Sequence, residues 1–267
     1  MGFFVRVQNY PRGETQSLRV FERLTLTANR GQIALTSLQF QASNESLFRK
    51  AQRMSQQIRC TCGSFQARLT AWPQATPGRL KCYCDDCQMY LMHLGRTDLL
   101  DAAGGTEVIP TYPVTLELVS GVEHLTCTRL SAQGMFRFST TCCNSPVANT
   151  APGRPWVGVL RNMYTQDDAQ LPERVLGPLR SSIMGKFATG PVPPGTPNTM
   201  SFQAARSVMP FMAKGFFGRK ITPSPFFGED GKTPIVQPTV LTVQERERLM
   251  QDWSKRRASS LEASRSS

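Results

Sequence analysis

The stretch "KCYCDDCQ", residues 81–88, places Cys82, Cys84 and Cys87 within six positions. Thiols at this density are disulfide partners, core filler, a redox pair or metal ligands. If the first two lie on a strand, the alternation of side chains puts Cys82 and Cys84 on one face. The third returns through a turn, at the start of "DCQMYLMHLG" (residues 86–95), which reads as a short helix ended by Gly95. The free N–H groups and positive dipole end of such a helix favour a thiolate.

The other cysteines sharpen the reading. Seven of the eight fall in three tight groups, Cys60–Cys62, Cys82–Cys84–Cys87 and Cys142–Cys143. The lone Cys127, in "HLTCTRL", reads as a small buried apolar residue on a strand. The C-x-C at 60–62 needs a second pair, and Cys142–Cys143 is the only other one available. Counting therefore predicts a closed zinc site held by Cys60, Cys62, Cys142 and Cys143. Cys82, Cys84 and Cys87 are left as a second zinc site with an open position, the pattern of a catalytic rather than a structural centre. No secretory signal precedes these groups, so a reducing compartment, the cytoplasm, is expected, where disulfides are uncommon. A thioredoxin-like reading of residues 84–87 lacks its βαβ context, and an iron–sulfur site is the remaining metal alternative. His93, six residues after Cys87, is within reach of the open site. It reads more simply as a surface or packed residue, as does His124. Asp85 and Asp86 read as helix N-terminal acids, with a role as hydrogen-bond acceptors behind the metal as the alternative.

Composition agrees with a β-rich protein. The chain of 267 residues carries 19 prolines and 20 glycines, which favours short strands and turns over long helices. "SFQARLTAW", "VTLELVSG" and "GMFRFST" alternate apolar and polar positions, and "RPWVGVLRNMY" offers a further strand. The fold expected is mainly β, in antiparallel sheets. No stretch approaches the roughly 18 apolar residues of a membrane span, so no membrane partner is expected. The net charge of +12 reads as a solvated basic surface, because no nucleic-acid motif accompanies it. Nucleic acid is not an expected partner.

Four regions follow. Residues 1–53 contain no cysteine and no clear period, and read as an N-terminal extension, disordered or upstream of a natural start at Met54. Residues 54–164 form the zinc-binding domain. Residues 165–240 are rich in Pro and Gly and read as loops with short irregular elements. Their recurrent Phe202, Phe211, Phe216, Phe217, Phe226 and Phe227 predict packing on the core. In residues 241–267, Thr242 and Glu245 form a capping-box signature before a helix that carries Leu249 and Trp253 on one face.

Three segments resemble a known family. "IRCTCGSFQARL", "LKCYCDDCQ" and "FSTTCCNSPVANT" are similar, in order and separation, to the cysteine motifs of the glutathione-dependent formaldehyde-activating enzymes, the group that includes centromere protein V. The resemblance covers about Ser55 to Thr150. It implies a β-tent, two small antiparallel sheets pinned by zinc. It implies that Cys60, Cys62 and Cys143 hold a structural zinc and that Cys82, Cys84 and Cys87 hold a zinc that meets substrate. The activity implied is carbon–sulfur lyase chemistry on glutathione or another small-molecule thiol adduct, such as S-hydroxymethylglutathione. A zinc-stabilised, non-catalytic module that contacts acidic partners is the alternative. The sequence departs from the pattern where Thr140 replaces a closing cysteine and Cys142 stands beside the aligned Cys143. Asn144 replaces the following glycine, as the non-Gly residue that best tolerates a left-handed turn.

Overall fold

Short alternating segments produce short strands, which assemble into two sheets in the computed structural model. It describes residues 55–72, 76–164, 179–200 and 202–266. The expected N-terminal extension lies outside the described residues, as do residues 165–178 of the Pro/Gly-rich region. The chain divides into two units, Met1–Lys50 and Ala51–Ser267, and every described residue belongs to the second.

The small sheet has the order β1 (Gln56–Arg59), β2 (Gln66–Leu69), β5 (Leu116–Ser120), all antiparallel. The large sheet holds eight strands. Its middle is the antiparallel run β3 (Arg79–Cys82), β4 (Thr106–Thr111), β9 (Val157–Leu160), β8 (Pro146–Thr150), β7 (Phe136–Thr140), β6 (Leu125–Arg129). Two further strands close its edges in parallel, β10 (Leu179–Ile183) on β3 and β11 (Pro238–Val240) on β6. The expected mainly β architecture of two sheets is present, with the larger sheet extended by these two edges. Both edge strands come from the region that reads as loops. The alternating pattern does not reveal them, because an edge strand needs only backbone hydrogen bonds on one side.

The faces of the two sheets enclose the main core. Ile58, Phe65, Ala67 and Leu69 from the small sheet and its loop meet Ile109, Phe138, Ala148, Val157 and Val159 from the large one. In β2 the alternation holds, with Ala67 and Leu69 buried and Arg68 exposed. In β7 it fails: all five residues are buried, although Arg137, Ser139 and Thr140 are polar. A central strand covered on both faces has no solvent side. Its apolar side joins the aromatic core, where Phe226 stacks on Phe138 at 4.3 Å and Phe227 meets Phe136 edge-on at 5.4 Å. Its polar side is covered by helix α1 (Asp85–His93), whose Tyr90 ring lies under the Arg137 guanidinium at 5.3 Å.

Two more helices are present among the described residues. Helix α2 (Phe202–Phe217) runs through what reads as loop, despite Pro210 in its interior. An interior proline costs roughly 3 kcal/mol. Tertiary packing offsets this: Phe211 stacks on Tyr112 at 4.3 Å, and the missing side chain of Gly215 lets the helix press onto Pro155 and Tyr112. Helix α3 (Val243–Ser266) begins with the expected capping box. The Thr242 N–H donates to Glu245 at 2.8 Å, and the Glu245 N–H donates to the Thr242 hydroxyl at 3.2 Å. Its Trp253 packs with Tyr90, Leu91 and Leu130, so α3 lies over α1. No helix among the described residues is long and apolar enough to cross a membrane.

Gly121, at φ 72, seats the turn after β5 against the backbone of Ser64 and Phe65. A methyl group there meets the Ser64 carbonyl oxygen in a left-handed conformation. Gly121→Ala is expected to cost about 2–4 kcal/mol, read as a lowered denaturation midpoint.

Candidate metal centres

The first centre is built by two loops. The turn between β1 and β2 carries Cys60 and Cys62, and the turn between β7 and β8 carries Cys142 and Cys143. Gly63 at φ 81 and Asn144 at φ 50 turn the chain sharply beside each pair, and Asn144 adopts the left-handed conformation expected of it. The two loops are joined where the Thr61 N–H donates to the Ser145 hydroxyl at 2.9 Å. The Thr141 N–H donates to the His124 carbonyl at 2.8 Å, which fixes the approach of the closing pair.

The ligand atoms of these four cysteines lie within 4.8 Å of one another. Cys60 and Cys62 are 3.5 Å apart, Cys60 and Cys142 3.8 Å, Cys62 and Cys142 3.3 Å, Cys142 and Cys143 3.8 Å, sulfur to sulfur. Zinc–sulfur bonds of about 2.3 Å in a tetrahedron set sulfurs about 3.8 Å apart, so the residues present fit such an ion. Cys142 thus joins the group beside Cys143. Thr140 is no ligand; its hydroxyl lies 3.4 Å from the Cys143 sulfur and accepts the Ser145 N–H at 3.3 Å. Burial pushes the Cys143 thiol up, but hydrogen bonds from Ser145, Thr140 and Cys62 outweigh it and bring the pKa to about 5. The Phe65 N–H donates to the Cys60 sulfur at 3.3 Å.

The second centre lies where β3 passes into α1. Cys82 ends the strand, Cys84 is the N-cap of the helix and Cys87 sits in its first turn. The Cys87 N–H donates to the Cys84 sulfur at 3.4 Å. The three ligand atoms lie within 4.8 Å of one another. Gln88 locks the helix start by donating to the Tyr83 and Phe187 carbonyls at 2.7 and 3.0 Å. Gly104 and Gly105 serve the turn before β4, where both Asp101 Oδ1 contacts come from backbone N–H groups, those of Ala103 and Gly105.

Arg137 is the residue that sequence reading misses. It is the largest fully buried side chain, 1 % exposed, with Nη1 at 3.9 Å from the Cys87 sulfur and Nη2 at 3.8 Å from Asp86. A guanidinium is not buried without a compensating anion. The Asp86 carboxyl is half exposed, and burial pushes its pKa up against the opposing pull of Arg137. Asp86 and the cysteine sulfurs therefore share the compensation. Hydrogen bonds from Cys82 and Cys84, then the Arg137 charge, hold Cys87 well below the usual thiol range. The Cys84 thiol is pushed up by its two neighbours and by burial, so binding of a metal there would release its proton. Both cysteine groups can hold a metal ion, and the buried cation indicates that the second is anionic.

Other candidates fall elsewhere. His93 ends α1 and His124 lies in a short 3-10 turn, and neither belongs to a ligand group. Cys127 is buried on β6 within the main core, as expected. All eight cysteines are free of disulfides. Met184, at φ 65, packs against the second centre beside Ile183, which is paired with Cys82 through β10.

A model described as "Family of unknown function (DUF6151)" matches residues 54–237. The chain is a DUF6151 protein. Both cysteine centres, Arg137 and α2 lie inside the span that defines this family. No curated protein matches the DUF6151 chain. Among solved structures it is similar to a Rhodobacter sphaeroides protein determined as a structural-genomics target. That match has 17% identity and a TM-score of 0.31 and covers 46% of this chain and 96% of the other.

Replacing Arg137 by Met leaves the second centre's charge uncompensated. Metal affinity there is expected to fall about 10–100-fold with the first centre unchanged, in a chelator competition that resolves the two sites. Arg137→Lys should recover part of the loss.

Proposed function

We propose that this protein is a zinc-dependent carbon–sulfur lyase acting on adducts of glutathione or another small thiol, with S-hydroxymethylglutathione as the model substrate. The observation that carries this reading is the division of seven cysteines into a group of four and a group of three. Four thiolates complete a tetrahedron and serve the fold. Three leave one direction for a substrate sulfur. The similarity of the three cysteine motifs to the glutathione-dependent formaldehyde-activating enzymes supports the same chemistry, and a β-tent description of the two sheets.

Cys82, Cys84 and Cys87 would hold the zinc, which when bound would offer a place for a thiol and favour its thiolate form. The chain's own residues do the rest. Arg137 offsets the negative charge of three thiolates, which would otherwise oppose an anionic sulfur. In this reading Asp86, partly exposed beside Arg137, takes the hydroxyl proton of the adduct. As that O–H bond breaks, the carbon–oxygen double bond forms, the carbon–sulfur bond breaks, and its electron pair leaves on sulfur. The products are formaldehyde and the thiol, which carries the transferred proton away. A raised pKa at Asp86 suits a group that must accept and return a proton. A net charge of +12 suits an anionic tripeptide, and the reducing cytoplasm is where free cysteines and glutathione coexist.

A second reading has one observation in its favour. Cys82 and Cys87 are 8 % and 6 % exposed, a burial that also suits a purely structural metal in a non-catalytic module for acidic partners. Two variants separate the readings. Cys84→Ser is expected to abolish adduct cleavage while the protein stays folded with about one zinc per chain in place of two, by elemental analysis. Cys62→Ser is expected to unfold the domain. If both unfold it equally, the lyase reading fails and the binding module stands. Within the lyase reading, Asp86→Asn should lower turnover by about 10²–10⁴-fold without changing zinc content.

A further inference from the structure

Helix α2 turns one face to the protein and leaves an apolar stripe on the other. Phe211 and Gly215 face inward on Tyr112 and Pro155. Phe202, Met209 and Phe216 recur every seven residues on a different face and are 85 %, 62 % and 46 % exposed. Phe217, beside them at the helix end, is 90 % exposed. Scattered exposed apolar residues need no explanation, but three large ones in line on a single helix with a fourth at its end do.

The charge around the stripe is of one sign. Arg206 and Lys214 are exposed on α2, and Arg219 and Lys220 follow its end. From residue 174 to residue 228 the chain carries seven Lys and Arg and no Asp or Glu. A helix whose outer face carries aromatic and Met side chains with Arg206 among them, and further cations beside and after its end, matches a surface that is apolar beneath and anionic at the rim. That is the headgroup region of an acidic bilayer. The inner face of α2 is already committed to Tyr112 and Pro155, so a partner meets only a ridge and cannot enclose the helix. A ridge suits a deformable lipid surface. The like charge of the flanks opposes pairing with a second copy of the same face.

We propose that α2 is a peripheral docking surface for anionic membranes, with Phe202, Met209, Phe216 and Phe217 entering the interface and Arg206, Lys214, Arg219 and Lys220 engaging lipid phosphates. The expectation of no membrane partner rested on the absence of a spanning segment, and a helix lying in the interface plane needs none. This inference is independent of the chemistry at the cysteine centres.

The test is co-sedimentation of the full-length, zinc-loaded protein with vesicles of phosphatidylcholine alone or with about a third phosphatidylserine. Binding only to the anionic vesicles, weakened about tenfold or more by raised salt, is expected. Phe216→Ser with Phe217→Ser, and separately Arg219→Glu with Lys220→Glu, should each reduce binding about tenfold or more. Circular dichroism and zinc content, unchanged in both, would show that the fold is kept. Absence of binding to anionic vesicles, or binding equal in wild type and both variants, overturns the proposal. So does a dimer in sedimentation equilibrium that the phenylalanine variant dissociates, which would assign the stripe to self-association.

Discussion

The structure depends on one long-range closure. Cys60 and Cys62 meet Cys142 and Cys143 across roughly eighty residues of chain, with Cys62 and Cys142 sulfurs 3.3 Å apart. Joining such distant segments carries a loop-closure entropy that four soft ligands on one ion can outweigh, and the binding energy of an ion held there would become folding energy. The closure ties the hairpin of the small sheet to a turn of the large one and fixes the gap that the apolar residues fill. Gly63 and Asn144, both at positive φ, make the two turns narrow enough for all four sulfurs to converge.

Strand β7 carries consequences in both directions from that closure. Its C-terminal end leads into the first centre, while Arg137 near its N-terminal end reaches the second. Because the strand is covered on both faces, a residue that would ordinarily point to water is enclosed among Tyr90, Asp86 and Cys87. Enclosure makes its charge effective, since a buried ion pair is little screened. The two centres therefore share one rigid support, and a cationic side chain rather than solvent sets the electrostatics of the three-thiol group.

The Pro/Gly-rich region supplies more than cover. It adds β10 beside β3, and so places Ile183 and the left-handed Met184 against the three cysteines. It supplies Phe226 and Phe227 to the core, and presents α2 outward. The six phenylalanines that predict core packing thus divide by role, with Phe211, Phe226 and Phe227 buried and Phe202, Phe216 and Phe217 exposed. Composition treats all six alike.

The sequence by itself determined what is local. Alternation located β2, β5 and β7, the capping signature located the start of α3, and cysteine spacing paired Cys60 and Cys62 with Cys142 and Cys143. These signals survive because strand period, cap chemistry and ligand count each depend on a few neighbouring residues or on arithmetic. Tertiary structure alone decided that Arg137 is buried beside Cys87, that α2 is a helix despite Pro210, and that both edges of the large sheet are parallel. In each case the deciding energy comes from distant groups. The burial of a charge depends on what covers it, the tolerance of a proline on the packing of Phe211, and an edge strand on a partner with free backbone groups, none of which is written in the residues nearby.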